Sequence, residues 1–247
     1  MCGFVGYIKT KENSNLNLAN LSKAQSLMFH RGPDSSTIKS WSLGDNMQLA
    51  VSFSRLAIID TSNQGMQPMI SGDYGIVFNG EIYNYRDLRS YLETKNIIFK
   101  TKTDTEVLLK GLIQDGSNFI NNLNGFYAFS FFDLKNKTIL LARDYFGKKP
   151  LYFNYDNSNP ESFLFSSEIR SIINSNLLSR PKVNEKILNY YFETGSVPQP
   201  DTIVKNISML EAGTILKLNW IDDKVNIIEK KEININYNDK LTFRESI

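Results

Sequence analysis

The chain has 247 residues, 41% apolar and 22% charged, with 28 basic against 26 acidic side chains. That length allows one large domain or two small ones, and the net charge of +2 excludes the basic footprint of a nucleic-acid binder or of a membrane face. One cysteine excludes an internal disulfide, one histidine (His30) excludes a His cluster for a metal, and the apolar start is too short for a signal peptide or membrane span, so a reducing cytoplasm is the default location.

Residues 4–8 read as a first strand. Leu16, Leu18, Leu21, Ala24, Leu27 and Met28 recur at helical spacing, which predicts a helix over about 16–29. His30-Arg31-Gly32-Pro33-Asp34 breaks it with turn chemistry. The β-prone stretch 47–60 predicts one or two strands. A short strand is expected over 75–78, ending at the turn signal Asn79-Gly80. A helix is expected over 85–95, a short strand over 97–100, and a second helix over 104–114 with Asp104 at its N-cap. Strands over 126–133, 138–143, 151–155 and 163–165 have turn signals between them and predict an antiparallel meander. The run from Phe126 to Phe132 is apolar on both faces and belongs in a central, covered strand. Beyond about residue 176 the pattern gives a short helix over 184–193, a connector marked by Gly195, Pro198 and Pro200, and a terminal hairpin over 214–218 and 225–229. Strand-rich stretches with helices before and between them predict stacked sheets with helical outer layers.

Cys2, the only cysteine, follows the initiator methionine. Removal of Met1 leaves a thiol and a free α-amine on one residue. An α-amine titrates at roughly pH 7.7–8.0, so nucleophile and general base would come from the same residue. The competing reading is a small buried hydrophobe, although chain ends are seldom buried. Lipid anchoring does not fit: a lipidated Cys needs an apolar stretch before it, and myristoylation needs Gly at position 2.

Seven segments then occur in order: MCGFVG at 1–6, HRGPD at 30–34, SRLAIID at 54–60, NGEIYN at 79–84, TDTE at 103–106, NGFYAFSFFD at 124–133 and RDYFGKKPLYF at 143–153. Together they resemble the glutaminase domain of class II glutamine amidotransferases, over about residues 2–220. Within that class the wording is most similar to glutamine-hydrolysing asparagine synthetases of the B type. The resemblance implies an α+β fold, a four-layer α-β-β-α sandwich of two antiparallel sheets (the N-terminal nucleophile hydrolase fold). It implies hydrolysis of L-glutamine through a thioester on Cys2, with Asn79 and Gly80 as the oxyanion hole. Arg55 would bind the α-carboxylate, with backbone contacts from Leu56, Ala57, Ile58 and Ile59. Glu81 and Asp104 would bind the α-ammonium, and Arg31 and Gly32 would position Cys2. His30 is expected to be structural, and the turn carrying Arg143, Asp144, Gly147 and Lys149 to lie near a partner domain.

The glutaminase reaction implied needs no cofactor or metal. Asparagine synthetases continue into a domain that uses ATP and Mg, and no pyrophosphate loop of that kind stands in this chain, so residues 221–247 are expected to be a linker and the start of that domain. A truncated chain, a split gene and a stand-alone glutaminase all fit the sequence. The expected partners are L-glutamine and the ATP-dependent synthetase domain, with a homodimer possible and no nucleic acid or membrane. Aspartate is the expected ammonia acceptor. A sugar acid or other carboxylate is the alternative, as is a non-catalytic glutamine-binding module.

Overall fold

The computed structural model describes residues 1–10, 14–44, 46–57, 63–156, 160–178 and 181–234. Among them the strands are β1 (Gly3–Thr10), β2 (Ser35–Ser42), β3 (Met47–Arg55), β4 (Met69–Ser71), β5 (Tyr74–Ile82), β6 (Gly125–Asp133), β7 (Thr138–Arg143), β8 (Tyr152–Tyr155), β9 (Ser162–Ser166), β10 (Ile207–Met209), β11 (Thr214–Ile221) and β12 (Lys224–Glu232). The helices are α1 (Ser14–Ser26), α2 (Tyr85–Thr94), α3 (Asp104–Asp115), α4 (Ile169–Ile173) and α5 (Glu185–Thr194). The strands pair antiparallel into two six-stranded sheets, ordered β10-β8-β9-β1-β3-β2 and β12-β11-β7-β6-β5-β4.

Side-chain alternation along the strands sets the layers. On β1, Phe4 and Ile8 join the core between the sheets, while Val5 and Tyr7 pack outward. Phe53, Phe163 and Phe165 from the first sheet meet Val77, Phe132, Leu141 and Trp220 from the second. Leu21, Ala24 and Met28 near and on α1, with Ile172 of α4, cover the outer face of the first sheet. Leu88 and Leu92 of α2 and Val107, Leu108 and Leu112 of α3 cover the second, against Ile76, Phe78 and Phe129. The result is a four-layer α-β-β-α sandwich, as the sequence led us to expect. Strand β6 is interior to its sheet and covered on both faces.

Several local expectations change. The meander is broken: β6 and β7 pair in the second sheet, β8 and β9 in the first. The crossing follows Arg143, whose guanidinium donates to the carbonyls of Gly147, Lys149 and Leu210. Asp144 folds the same turn by accepting from the N–H groups of Phe146, Lys148 and Lys149. Asn79-Gly80 is not a turn. Strand β5 runs through it, with Asn79 opposite Ala128 and Gly80 opposite Tyr127. Glycine is required there by close approach, since a Cβ at Gly80 would lie 2.2 Å from the Phe126 carbonyl oxygen. Residues 97–100 form no strand, because the Lys100 and Thr101 N–H groups bond the Glu106 carboxylate instead. Strand β2 was not anticipated. Strand β12 lies beyond residue 220, on the linker side of the expected boundary, yet pairs along its length with β11.

Candidate active site

Cys2 precedes β1, whose first residue Gly3 pairs with Ser54 near the end of β3. That register brings the thiol beside Leu56, whose N–H donates to Sγ at 3.4 Å while the thiol reaches the Leu56 carbonyl at 3.5 Å. Burial pushes the Cys2 thiol up, against the lowering effects of the Leu56 N–H, the N-terminal charge, Arg55 and Arg31. In the chain that keeps Met1 the thiol is therefore protonated at neutral pH. Met1 is 57% exposed at the cavity mouth, where Lys149 Nζ contacts its sulfur at 3.4 Å.

The segment after α1 closes in behind Cys2. Phe29–Arg31 form a 3-10 turn, and buried Arg31 donates from Nε to the Cys2 carbonyl oxygen at 3.0 Å and from Nη1 to Glu168 at 3.2 Å. Gly32 lies against β3 so closely that a Cβ would sit 2.3 Å from the Ser54 carbonyl carbon. Asp34 Oδ2 accepts the Ala57 N–H at 2.8 Å, fixing the chain just past Leu56. His30 bonds Glu168 at 2.8 Å and does not line the cavity.

The facing wall comes from β5 and the start of α3. Asn79 is buried, and Arg31 can only donate, so the Asn79 amide oxygen must face it. In that orientation Oδ1 accepts from Arg31 Nη2 at 3.2 Å, and Nδ2 donates to the Cys2 carbonyl oxygen at 3.0 Å. The cap of α3 is Thr103, not Asp104: its hydroxyl accepts the Glu106 N–H at 3.2 Å. Asp104 is the first helical residue, and its carboxylate reaches across to accept the Ile82 N–H at 3.1 Å. Burial pushes the Asp104 carboxyl up to about 6; the nearby Glu81 charge adds to this and hydrogen bonds from the Ile82 and Thr105 backbones oppose it.

These residues enclose a cavity of about 140 Å³. It is small beside the roughly 300–1,000 Å³ of pockets for drug-sized ligands. Cys2, Arg55, Leu56, Asn79, Gly80, Glu81 and Asp104 all line it. Arg31 and Gly32 lie behind Cys2, and Ala57 flanks the lining without joining it. Ile58 and Ile59 lie outside the described residues. Two residues with a bearing on the site carry no local sequence signal, Gln67 and Glu168, while Lys149 lines the cavity from the 143–153 segment expected to lie near a partner domain. Gln67 is buried in the cavity wall, accepts the Phe78 N–H at 2.6 Å and donates to Thr105 at 3.4 Å. A thiol, an amide donor, a guanidinium and two carboxylates in so small a space suit a zwitterionic amino acid with a reactive carbonyl. Among the described residues no three His, Cys, Asp or Glu side chains come together as a metal site would need, and no helix is long and apolar enough to cross a membrane.

A family model described as a glutamine amidotransferase domain matches residues 1–229. The glutamine-hydrolysing asparagine synthetase 1 of Bacillus subtilis is 33% identical over 222 residues, covering 87% of this chain and 33% of the relative. A Methanocaldococcus jannaschii protein, provisionally named a glutamine-hydrolysing asparagine synthetase, is 34% identical over 255 residues, covering 96% and 46% respectively. The chain thus spans less than half the length of these relatives. Among solved structures, the glutamine phosphoribosylpyrophosphate amidotransferase of B. subtilis shares the fold, with a TM-score of 0.63 at 17% identity, covering 95% of this chain and 50% of that one.

Proposed function

Since the chain belongs to the glutamine amidotransferase domain family, we propose that it hydrolyses L-glutamine to glutamate and ammonia through a thioester on Cys2. We propose further that the ammonia passes to an ATP-dependent synthetase domain that amidates aspartate, the activity for which its relatives are named. The observation that carries the first reading is the Cys2 thiol, 3.4 Å from Leu56 N, in one cavity with Arg55, Asn79, Gly80, Glu81 and Asp104.

Arg55 takes the α-carboxylate of glutamine, with backbone contacts from Leu56 and Ala57, and Glu81 and Asp104 take the α-ammonium. A thiol raised by burial needs a base, and after Met1 leaves the α-amine of Cys2 supplies one, directly or through a water. The sulfur attacks the carboxamide carbon, a C–S bond forms, and the carbonyl electron pair moves onto oxygen. Asn79 Nδ2 and the Gly80 N–H stabilise that oxygen; one such donor contributes about 3–4 kcal/mol. Collapse breaks the C–N bond, the departing nitrogen takes the proton held by the Cys2 amine, and ammonia leaves. Water then attacks the thioester, the amine accepts its proton, and glutamate departs as the thiol reforms. Arg31 holds the nucleophile's backbone, and Gly32 lets the turn lie against β3 behind it. ATP and Mg belong to the synthetase step, and none of the residues named above is assigned to them.

The test is ammonia and glutamate release from L-glutamine by protein whose intact mass shows loss of Met1. The wild type is expected to turn over and Cys2→Ala to be inactive. Full activity in Cys2→Ala would overturn the mechanism.

A further inference from the structure

We infer that Glu168 is a positioning residue for glutamine hydrolysis: its carboxylate fixes Arg31, and Arg31 turns the Asn79 amide so that its NH2 group lies on the Cys2 side, where it donates to the Cys2 carbonyl oxygen. This rests on the glutaminase reading above and goes beyond it. Glu168 lies outside the seven segments on which the resemblance rests, though within the residues that the family model matches. It follows β9, and the backbone there is tied to the start of β1. Ser167 N donates to the Phe4 carbonyl at 2.9 Å, Phe4 N donates to Ser167 Oγ at 3.2 Å, and Glu168 N donates to Ser166 Oγ at 3.1 Å. The backbone that carries Glu168 is thereby tied to the strand that follows Cys2.

Three donors converge on it: Arg31 Nη1 at 3.2 Å, His30 Nε2 at 2.8 Å and Arg170 Nε at 2.7 Å. Burial works to raise Glu168, but the His30 and Arg31 hydrogen bonds and the His30 and Arg170 charges hold it below the usual carboxylate range. It is thus an anion at neutral pH. The Arg31 guanidinium is planar and its donors form a rigid fork. With Nη1 on Glu168 and Nε on the Cys2 carbonyl, the direction of Nη2 is fixed, and it points at Asn79.

An amide offers an oxygen on one side and an NH2 on the other, and Arg31 accepts only the oxygen. Asn79 Nδ2 is left facing Cys2. Without Glu168 the guanidinium keeps its bonds to the Cys2 carbonyl and to Asn79 but loses the third point that fixes its plane, so it tilts and holds the amide less firmly against the negative charge that develops during attack. That loss falls on the transition state, while Arg55, Glu81 and Asp104 continue to bind the ground state.

The experiment is steady-state glutaminase kinetics on Met1-processed wild type, Glu168→Ala and the isosteric Glu168→Gln, the latter serving if the alanine variant folds poorly. The expected result is a kcat lowered about tenfold or more with KM within about twofold, and partial recovery in Glu168→Asp. The same Glu168→Ala change in an Arg31→Met background is expected to add less than about a twofold loss, because Glu168 acts through Arg31. Glu168 variants within about twofold of wild-type kcat would overturn the inference. So would an undiminished effect of Glu168→Ala in the Arg31→Met background, or a loss carried in KM alone. Activity in the wild type, absent in Cys2→Ala, keeps these outcomes separate from failure of the glutaminase reading. A wild type silent on glutamine would sink both.

Discussion

Asp104 is under two opposed demands. Proposed as a partner for the substrate ammonium, it should be ionised, yet burial pushes its carboxyl up to about 6. A carboxyl with a raised folded-state pKa binds protons more tightly in the native chain than in the unfolded one. Stability tied to Asp104 is therefore present below about pH 4 and is lost as pH rises through about 6, a loss of about 3 kcal/mol. Asp104→Asn keeps an oxygen for the Ile82 N–H and removes the charge. It is expected to be more stable than wild type by about 1–3 kcal/mol at pH 8, with the gap closing toward pH 4, by urea unfolding. The same variant should lose glutamine affinity. In the Cys2→Ala background, calorimetry should find glutamine bound about tenfold more weakly at pH 5 than at pH 7, following protonation of Asp104. An equal pH effect in Cys2→Ala/Asp104→Asn would remove Asp104 from ammonium binding.

The elements that carry the site show what local sequence can and cannot specify. Helix α3 was legible from its apolar spacing, but its cap was displaced by one residue: Thr103 caps, which leaves Asp104 to reach β5. Thr103→Ala is expected to lower stability by about 1 kcal/mol, read by urea unfolding, through loss of that cap. Strand β6 was legible because its two faces both meet core. Strand β2 was not, since most of Ser35–Ser42 is exposed and its polar sequence has no apolar alternation to read. Asn79-Gly80 has the local chemistry of a turn, and tertiary pairing with β6 overrides it. Cys2, Arg55 and Asn79 were found because each sits in a local motif. Gln67 and Glu168 were not, because their contacts join distant parts of the chain; Glu168 meets Arg31 across 137 positions.

At the scale of the molecule, the sandwich decides where the folding unit ends. A boundary at residue 220 would cut inside it. Val225 of β12 is fully buried between the sheets, and Ile233 is buried in the outer core beside α2 and α3. Val225 N donates to the Pro160 carbonyl at 2.8 Å, and Ile233 N to the Gly213 carbonyl at 2.7 Å. Each such buried aliphatic side chain contributes roughly 1.5–3 kcal/mol, against a total stability of about 5–15 kcal/mol for an ordinary domain. Loss of β12 also bares the hydrogen-bonding edge of β11, a template for intermolecular pairing. A chain ending at Trp220 is therefore expected to lose cooperative melting and to aggregate. A cooperative transition of unchanged midpoint in the shorter chain would show that β12 is an appendage, and would return the boundary to the end of β11.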